Sequence, residues 1–320
     1  MTINDLAGTP PNPEAAISVR GLVKRFGTFT AVDGIDFDVP RGQIFGFLGP
    51  NGSGKTTTIR MLTGTSGPNA GQALVLGEDV INHPERVKQR FGYMSQKFAL
   101  FEDMTVEENL RFYAGVYDLS AEQFAKQRAY VLDMADLRGR ENELTANLSV
   151  GWRQRLALGT ATIHEPELLF LDEPTGGVDP IARRQFWDLL YELAGRGVTL
   201  FVTTHYMDEA SHCNQLAFIY RGGLIAEGTP ADIRHGLLSA QVLEIGVRDV
   251  DAALTWLEHA PIVEEAYLSG ASLHAVVAPD AVDAVTGGLR DAGFGDAAVR
   301  LVEPTLEDVF VNLVARAQES

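Results

Sequence analysis

The 320-residue sequence holds one cysteine, Cys213, which excludes an internal disulfide and fits a reducing compartment. Long apolar runs are missing: "LLFL" and "QLAFIY" are far shorter than the roughly 20 residues that cross a bilayer. No basic and then apolar leader opens the chain. Together these absences predict a cytoplasmic protein with no direct membrane insertion. Positive charge is scarce. Lys and Arg number 26 against 43 Asp and Glu, for a formal net charge of −17. Residues 241–320 carry 14 Asp and Glu, four Arg and no Lys. Nucleic acid and anionic lipid repel such a chain, so neither is an expected partner. What is there is ordinary globular composition, 45% hydrophobic and 22% charged, in a length that suits two domains.

Residues 1–16 are proline-rich and aperiodic and read as a flexible N-terminal tail. From Ile17, "ISVRGLVKRFG" and "IDFDVPRG" alternate as strands between glycine turns. "QIFGFLG" is a short apolar strand that runs into a glycine loop, and "TTTIRMLTG" after it has helical spacing ending at Gly64. Residues 100–160 are mainly helical in pattern. Two more apolar strands, "ELLFLDEP" and "VTLFVTTH", flank a helix around "RRQFWDLLYELAGRG". Strands alternating with helices predict an α/β fold with a parallel core sheet covered on both faces. Beyond "LAFIYRGGLIAEGTPADIRHGLL" the order becomes βαββαβα, with a hairpin turning at Ser269-Gly270. That order predicts a small ferredoxin-like α+β domain.

Gly49, Pro50, Asn51, Gly52, Ser53, Gly54, Lys55 and Thr56 match the phosphate-loop pattern G-x-x-x-x-G-K-[ST], with Thr57 next. The glycines let successive N–H groups curl around phosphate, and the helix that follows adds its positive end. Lys55 can reach the β and γ phosphates, and the Thr56 hydroxyl can ligate Mg²⁺. Asp172 ends the apolar run "LLFL", where ligands of open α/β sheets bind, and can hold the metal through water. Glu173 beside it can take a proton from water attacking a γ-phosphate. Alone, two adjacent acids read equally as a solvated turn; the glycine loop tips the balance. His205 ends the strand "LFVTTH", which is expected to neighbour the strand leading to Glu173. Its imidazole can then bond the γ-phosphate, although a lone strand-end histidine is more often structural. Gln96, in "YMSQKF", can reach metal or water without adding charge; its alternative is a surface glutamine.

"LSVGWRQR" raises a second possibility. Ser149 can cap a helix whose open N–H groups, at Gly151, face an anion. One nucleotide needs one glycine loop, so a phosphate gripped there would belong to another chain. Two chains arranged head to tail would share two such sites about a two-fold axis.

The set Phe26, "GPNGSGKTT", Gln96, "LSVGWRQR", "LLFLDEP", "GGVDP" and His205 resembles the nucleotide-binding subunits of ABC transporters over residues 17–236. The resemblance implies a P-loop NTPase ABC cassette: a parallel core sheet, an antiparallel β subdomain and a helical subdomain at about 100–160. It implies ATP and Mg²⁺ as cofactors. It also implies roles: Phe26 stacks on adenine, Gln96 couples the site to the membrane subunit, and Ser149 and Gly151 contact the γ-phosphate across the dimer. Asp179 crosses the interface, and His205 is the switch histidine. Val150 departs from the family, which usually has glycine there; a side chain could crowd the nucleotide or demand a different φ, but Ser149 and Gly151 keep the hydroxyl and the open N–H, so a working site is expected. Residues 237–320, which include "VEPTLEDVFVNLV", resemble the tail domain of ATPases serving ABC-2 type exporters, including daunorubicin exporters. That implies ABC-2 type permease subunits as partners, a homodimer or heterodimer of ATPases, and a place on the cytoplasmic face of the cell membrane. An importer ATPase, a non-hydrolysing partner in a heterodimer, and a soluble ABC ATPase acting on ribosome or DNA are the alternatives.

Overall fold

The computed structural model describes residues 6, 8–235 and 241–319. The expected boundary at 236/237 and residues 1–5 and 7 lie outside them. Contacts divide the described residues into two units, one running to Leu224 and one starting at Ile225.

The larger unit begins with β1 (Ile17–Phe26) and β2 (Phe29–Val39), a hairpin whose last pair is Phe26 opposite Phe29. β3 (Ile44–Leu48) and α1 (Lys55–Leu62) enclose the glycine loop. β4 (Ala70–Val75), β5 (Glu78–Asp79) and β6 (Phe91–Met94) follow. Next come α2 (Val106–Val116), α3 (Ala121–Met134) and α4 (Val150–Thr162). β7 (Leu168–Asp172), α5 (Pro180–Gly195), β8 (Thr199–Thr204), β9 (Gln215–Tyr220) and β10 (Gly223–Gly228) complete the run. The division between the units falls inside β10. Residues 9–16 have neither helix nor strand, yet Ala15 and Ala16 are buried and Asn12 N donates to Ser18 Oγ on β1.

One sheet has the order β2-β1-β4-β5 and is antiparallel throughout. The other has the order β10-β9-β3-β8-β7-β6, with β9, β3, β8, β7 and β6 parallel. Every residue of β3, β7 and β8 is buried. Burial on both faces explains why these strands read as unbroken apolar runs rather than alternating ones. Phe37, Phe45, Phe47 and Phe201 are fully buried with ring centroids 5.4–6.1 Å apart. Each such ring contributes about 2–3 kcal/mol of burial. This core anchors the strands whose carboxyl ends carry the functional residues.

Local sequence starts the helices. Thr105 with Glu108 and Ser120 with Gln123 form reciprocal caps at the starts of α2 and α3. Asp179 accepts from Ile181 N and Ala182 N at 3.0 Å, with Pro180 in the first turn of α5.

The smaller unit contains α6 (Pro230–His235), β11 (Gln241–Gly246), α7 (Val250–His259), β12 (Val263–Ser269), β13 (Ser272–Val277), α8 (Val282–Asp291), β14 (Ala298–Val302) and α9 (Leu306–Glu319). Its antiparallel sheet runs β12-β13-β11-β14, the ferredoxin-like order. Ser269 pairs with Ser272, so the hairpin turns at Gly270-Ala271, one residue later than expected. Gly270 takes a φ of 62°, which only the second position of the expected turn had offered to glycine.

Candidate functional site

The site forms where β3, β7 and β8 end. The glycine loop leaves β3 and takes a path that side chains would block. A Cβ on Gly49 would lie 2.2 Å from Ile219 O, and one on Gly54 2.5 Å from Ala31 O. Gly52 and Gly54 also hold φ values of 81° and 117°, in the left-handed region. The first N–H groups of α1 have no intrahelical partner, and no side chain caps them. Ser53 Oγ is buried without a hydrogen-bond partner among the described residues. An uncapped helix start beside an orphaned hydroxyl fits an anion with several acceptor oxygens.

Lys55 is buried and donates to Gly49 O and Pro50 O at 2.8 and 3.1 Å. Its Nζ also lies 3.1 Å from Glu173 Oε1. The other carboxylate oxygen, Oε2, accepts from Gln96 Nε2 at 3.0 Å and lies 3.2 Å from His205 Nδ1. Three side chains from three segments thus meet on one buried carboxylate. Asp172, 1% exposed, accepts from Thr56 Oγ1 at 3.2 Å and from Thr203 Oγ1 at 2.7 Å. Asp172 and Thr56 form a hard-oxygen pair that suits Mg²⁺. Asp172 also acts on Tyr93. Burial first, and then this carboxylate, push the Tyr93 hydroxyl up to about 12.

Glu173 holds a φ of 48°, unusual for a residue with a side chain. Its N–H donates to Thr203 O and Thr203 Oγ1, both at 3.0 Å. Parallel pairing of Asp172 with Thr203 sets this up. The backbone therefore turns sharply after the strand, and the two adjacent acids point to different partners.

A cleft of about 430 Å³ is lined by Phe26, Phe29, Ala31, Asn51, Gly52, Gly54, Lys55, Thr56, Thr57, Gln96 and Glu173. That volume suits a nucleotide-sized ligand. Phe26 and Phe29 are 55% and 61% exposed, so neither is a core aromatic. Lys24 Nζ lies 5.2 Å from the Phe26 ring centre. Sequence reasoning had missed Phe29 and Thr203. The cross-turn pair in "RFGTFT" signals the first. Nothing in "FVTTH" separates Thr203 from its neighbour.

The ABC transporter family profile matches residues 32–176. The probable multidrug ABC transporter ATP-binding protein YbhF of Escherichia coli (strain K12) is 46% identical over 232 residues, covering 72% of this chain. The chain spans only 40% of that protein's length. Nod factor export ATP-binding protein I of Paraburkholderia xenovorans (strain LB400) is 37% identical over 308 residues, covering 96% of this chain and 99% of that protein. This chain belongs to the ABC transporter ATP-binding family. A solved structure of the ATP-binding subunit of an ABC transporter superposes with a TM-score of 0.63 at 29% identity, covering 69% of this chain and 92% of that one.

Within this ABC cassette, Gly49, Pro50, Ser53, Asp172 and His205 lie outside the cleft's lining but bond to or adjoin residues that form it, whereas Ser149, Gly151 and Asp179 stay apart from it. These last three share a different place. Ser149 starts α4 and accepts from Trp152 N, and Asp179 starts α5. A Cβ on Gly151 would sit 3.4 Å from Ala182 Cβ, so the two helix starts are neighbours. Val150 opens α4, is 40% exposed, and is not among the residues with positive φ. Valine demands no different φ at this position: it has ordinary helical backbone. Trp152, two residues on, is flanked by the guanidinium groups of Arg140 at 4.4 Å and Arg155 at 5.3 Å. Among the described residues no helix is long and apolar enough to cross a membrane.

Proposed function

We propose that the chain is the ATP-binding and ATP-hydrolysing subunit that powers an ABC-2 type membrane exporter by ATP-driven dimer closure. The observation that carries this reading is the meeting of Lys55, Gln96 and His205 on Glu173, beside the Thr56–Asp172 pair and a cleft edged by exposed aromatics. Adenine stacks on Phe26. The phosphates lie in the loop from Gly49 to Thr57, against its N–H groups and Lys55. When bound, Mg²⁺ neutralises phosphate charge and aligns the scissile bond; Thr56, Gln96 and Asp172 would hold it. Glu173 accepts the proton of the attacking water as the bond to the β-phosphate oxygen breaks and ADP leaves. His205 turns from Glu173 towards the γ-phosphate and fixes that water.

Ser149 and Gly151 complete the site of a second chain, and Asp179 crosses between the two. Adjacency of the α4 and α5 starts supports this, since both would face the partner together. ATP then holds the two cassettes closed, and hydrolysis lets them part, so differential affinity for two states drives transport. The export direction is supported by the name of one relative, a Nod factor export ATP-binding protein; the other is named a probable multidrug ABC transporter ATP-binding protein. ABC-2 type permease subunits supply the membrane path, which places the chain on the cytoplasmic face of the membrane. The domain organisation is a tail at 1–16, a cassette at 17–236 and an accessory α+β domain at 237–320.

Phosphate release from Mg-ATP tests the core of the reading, measured for the chain alone and with its permease in vesicles. Turnover that disappears in Glu173→Gln while ATP still binds supports it. Turnover that survives in Glu173→Gln removes Glu173 as the base.

A further inference from the structure

Besides Asp172 and Glu173, the larger unit buries a carboxylate that the reaction does not use. Glu209 lies in the short 3₁₀ turn Met207–His212, four residues after His205, and is 1% exposed. A buried carboxylate is retained at a cost unless its partners hold it. Thr175, fully buried and two residues after Glu173, donates its hydroxyl to Glu209 Oε1 at 2.5 Å. Arg183 of α5 brings Nε to 3.7 Å from the same oxygen. The same guanidinium pairs with Asp208 at 3.3 Å and stacks on Tyr206 at 4.2 Å. The Tyr206 ring centre lies 4.1 Å from that of His205.

Glu209 therefore joins three segments. One is the loop from Glu173 to Asp179, reached through Thr175. Another is the start of α5, reached through Arg183. The third is the segment that begins at His205. We propose that Glu209 is a positioning residue for hydrolysis, holding the His205 segment and the Glu173 loop in one register. This rests on Glu173 and His205 having the roles given above. The direct contact between those two, at 3.2 Å, must be broken if His205 is to turn towards phosphate. The Thr175–Glu209 bond is a parallel link that survives such a turn. It keeps the histidine within reach of the carboxylate's water while the contact itself is released. Displacement of a reacting group by about 1 Å costs up to roughly a hundredfold in rate, so a hidden tether of this kind acts on turnover and not on binding.

The test uses the full chain and Mg-ATP. Thr175→Val keeps the shape and removes the donor; Glu209→Ala removes the acceptor. Both are expected to lower kcat by roughly tenfold to a hundredfold with KM for ATP unchanged to within about twofold. Thr175→Ser, which restores a hydroxyl, is expected to recover most of the loss. The double variant Thr175→Val with Glu209→Ala is expected to be no worse than the poorer single one, as for two ends of one link. Wild-type kcat in Thr175→Val, full additivity in the double variant, or a Thr175→Ser as slow as the valine would each overturn the proposal. Should Glu209→Ala fail to fold, the Val and Ser variants at Thr175 decide alone. Glu173→Gln run alongside separates the two readings. If it turns over, the base assignment fails; if it is inactive while Thr175→Val is normal, only the tether fails.

Discussion

Glu173 Oε1 lies 3.1 Å from Lys55 Nζ, and both side chains are buried. Removing one member of such a pair strands the other charge, at about 3–5 kcal/mol. Lys55→Ala is therefore expected to lose both ATP binding and stability. Adding Glu173→Gln to it should recover much of the stability and none of the binding. Urea unfolding and ATP titration read the two separately. Unchanged ATP affinity in Lys55→Ala would remove the loop as the phosphate site.

Glu173→Gln is expected to bind Mg-ATP without consuming it. Its mass in solution should double with Mg-ATP and remain monomeric without. Doubling would support a nucleotide gripped across two chains by the "LSVGWRQR" helix. A chain that stays monomeric in both conditions, while ATP is bound, would reject closure by this chain with itself.

Val150→Gly should keep or raise ATPase activity. The valine is exposed and carries no backbone strain, so its removal relieves nothing in the chain itself and costs at most about 1 kcal/mol of helix propensity. A large drop in kcat would mean that the valine side chain takes part in the site.

His164 gives a pH dependence of known sign. Burial pushes its imidazole down to about 4, against a weaker opposing hydrogen bond to Phe91 O. Its ring also stacks on Tyr117 with centroids 3.5 Å apart. The unfolded chain takes up a proton near 6.5 that the folded chain refuses until about 4. Stability is thus lost as pH falls through that window, by up to about 3 kcal/mol. His164→Phe keeps a ring against Tyr117 and removes the proton site. The difference in unfolding free energy between wild type and variant should shift in the variant's favour from pH 7 to pH 4. A constant difference would show that His164 does not titrate in this way.

Cys213 is 6% exposed, and burial pushes its thiol well up from its ordinary range. A buried, protonated thiol is a poor nucleophile. Ellman's reagent should leave the native chain unlabelled and label one thiol after denaturation in urea. Rapid labelling of the native chain would place Cys213 at an opening.

The order of elements could be read directly because each carries a local signal. Buried parallel strands are unbroken apolar runs, as in "LLFL", and the helix starts are marked by Thr105 with Glu108 and by Ser120 with Gln123. The glycine loop is legible for the same reason: its shape is a property of consecutive backbone torsions. Asp172, Glu173 and His205 could be placed at strand ends because a strand's length and its exit residue are local too. Phe29 and Thr203 escaped because their meaning lies in cross-strand pairs, Phe26 with Phe29 and Asp172 with Thr203.

By itself the sequence determined the segments, the loop that only glycine can form, and the residue types able to hold phosphate, metal and proton. It did so because torsional freedom, hydrophobic periodicity and side-chain chemistry are properties of neighbours along the chain. Only the tertiary structure decided which of those side chains meet. Lys55, Gln96 and His205 converge on Glu173 from residues 32 to 118 positions away. Glu209 reaches Thr175 across 34. Such meetings follow from the parallel sheet's register and from the burial that makes an unpaired charge costly. Neither is written in any one stretch of the chain.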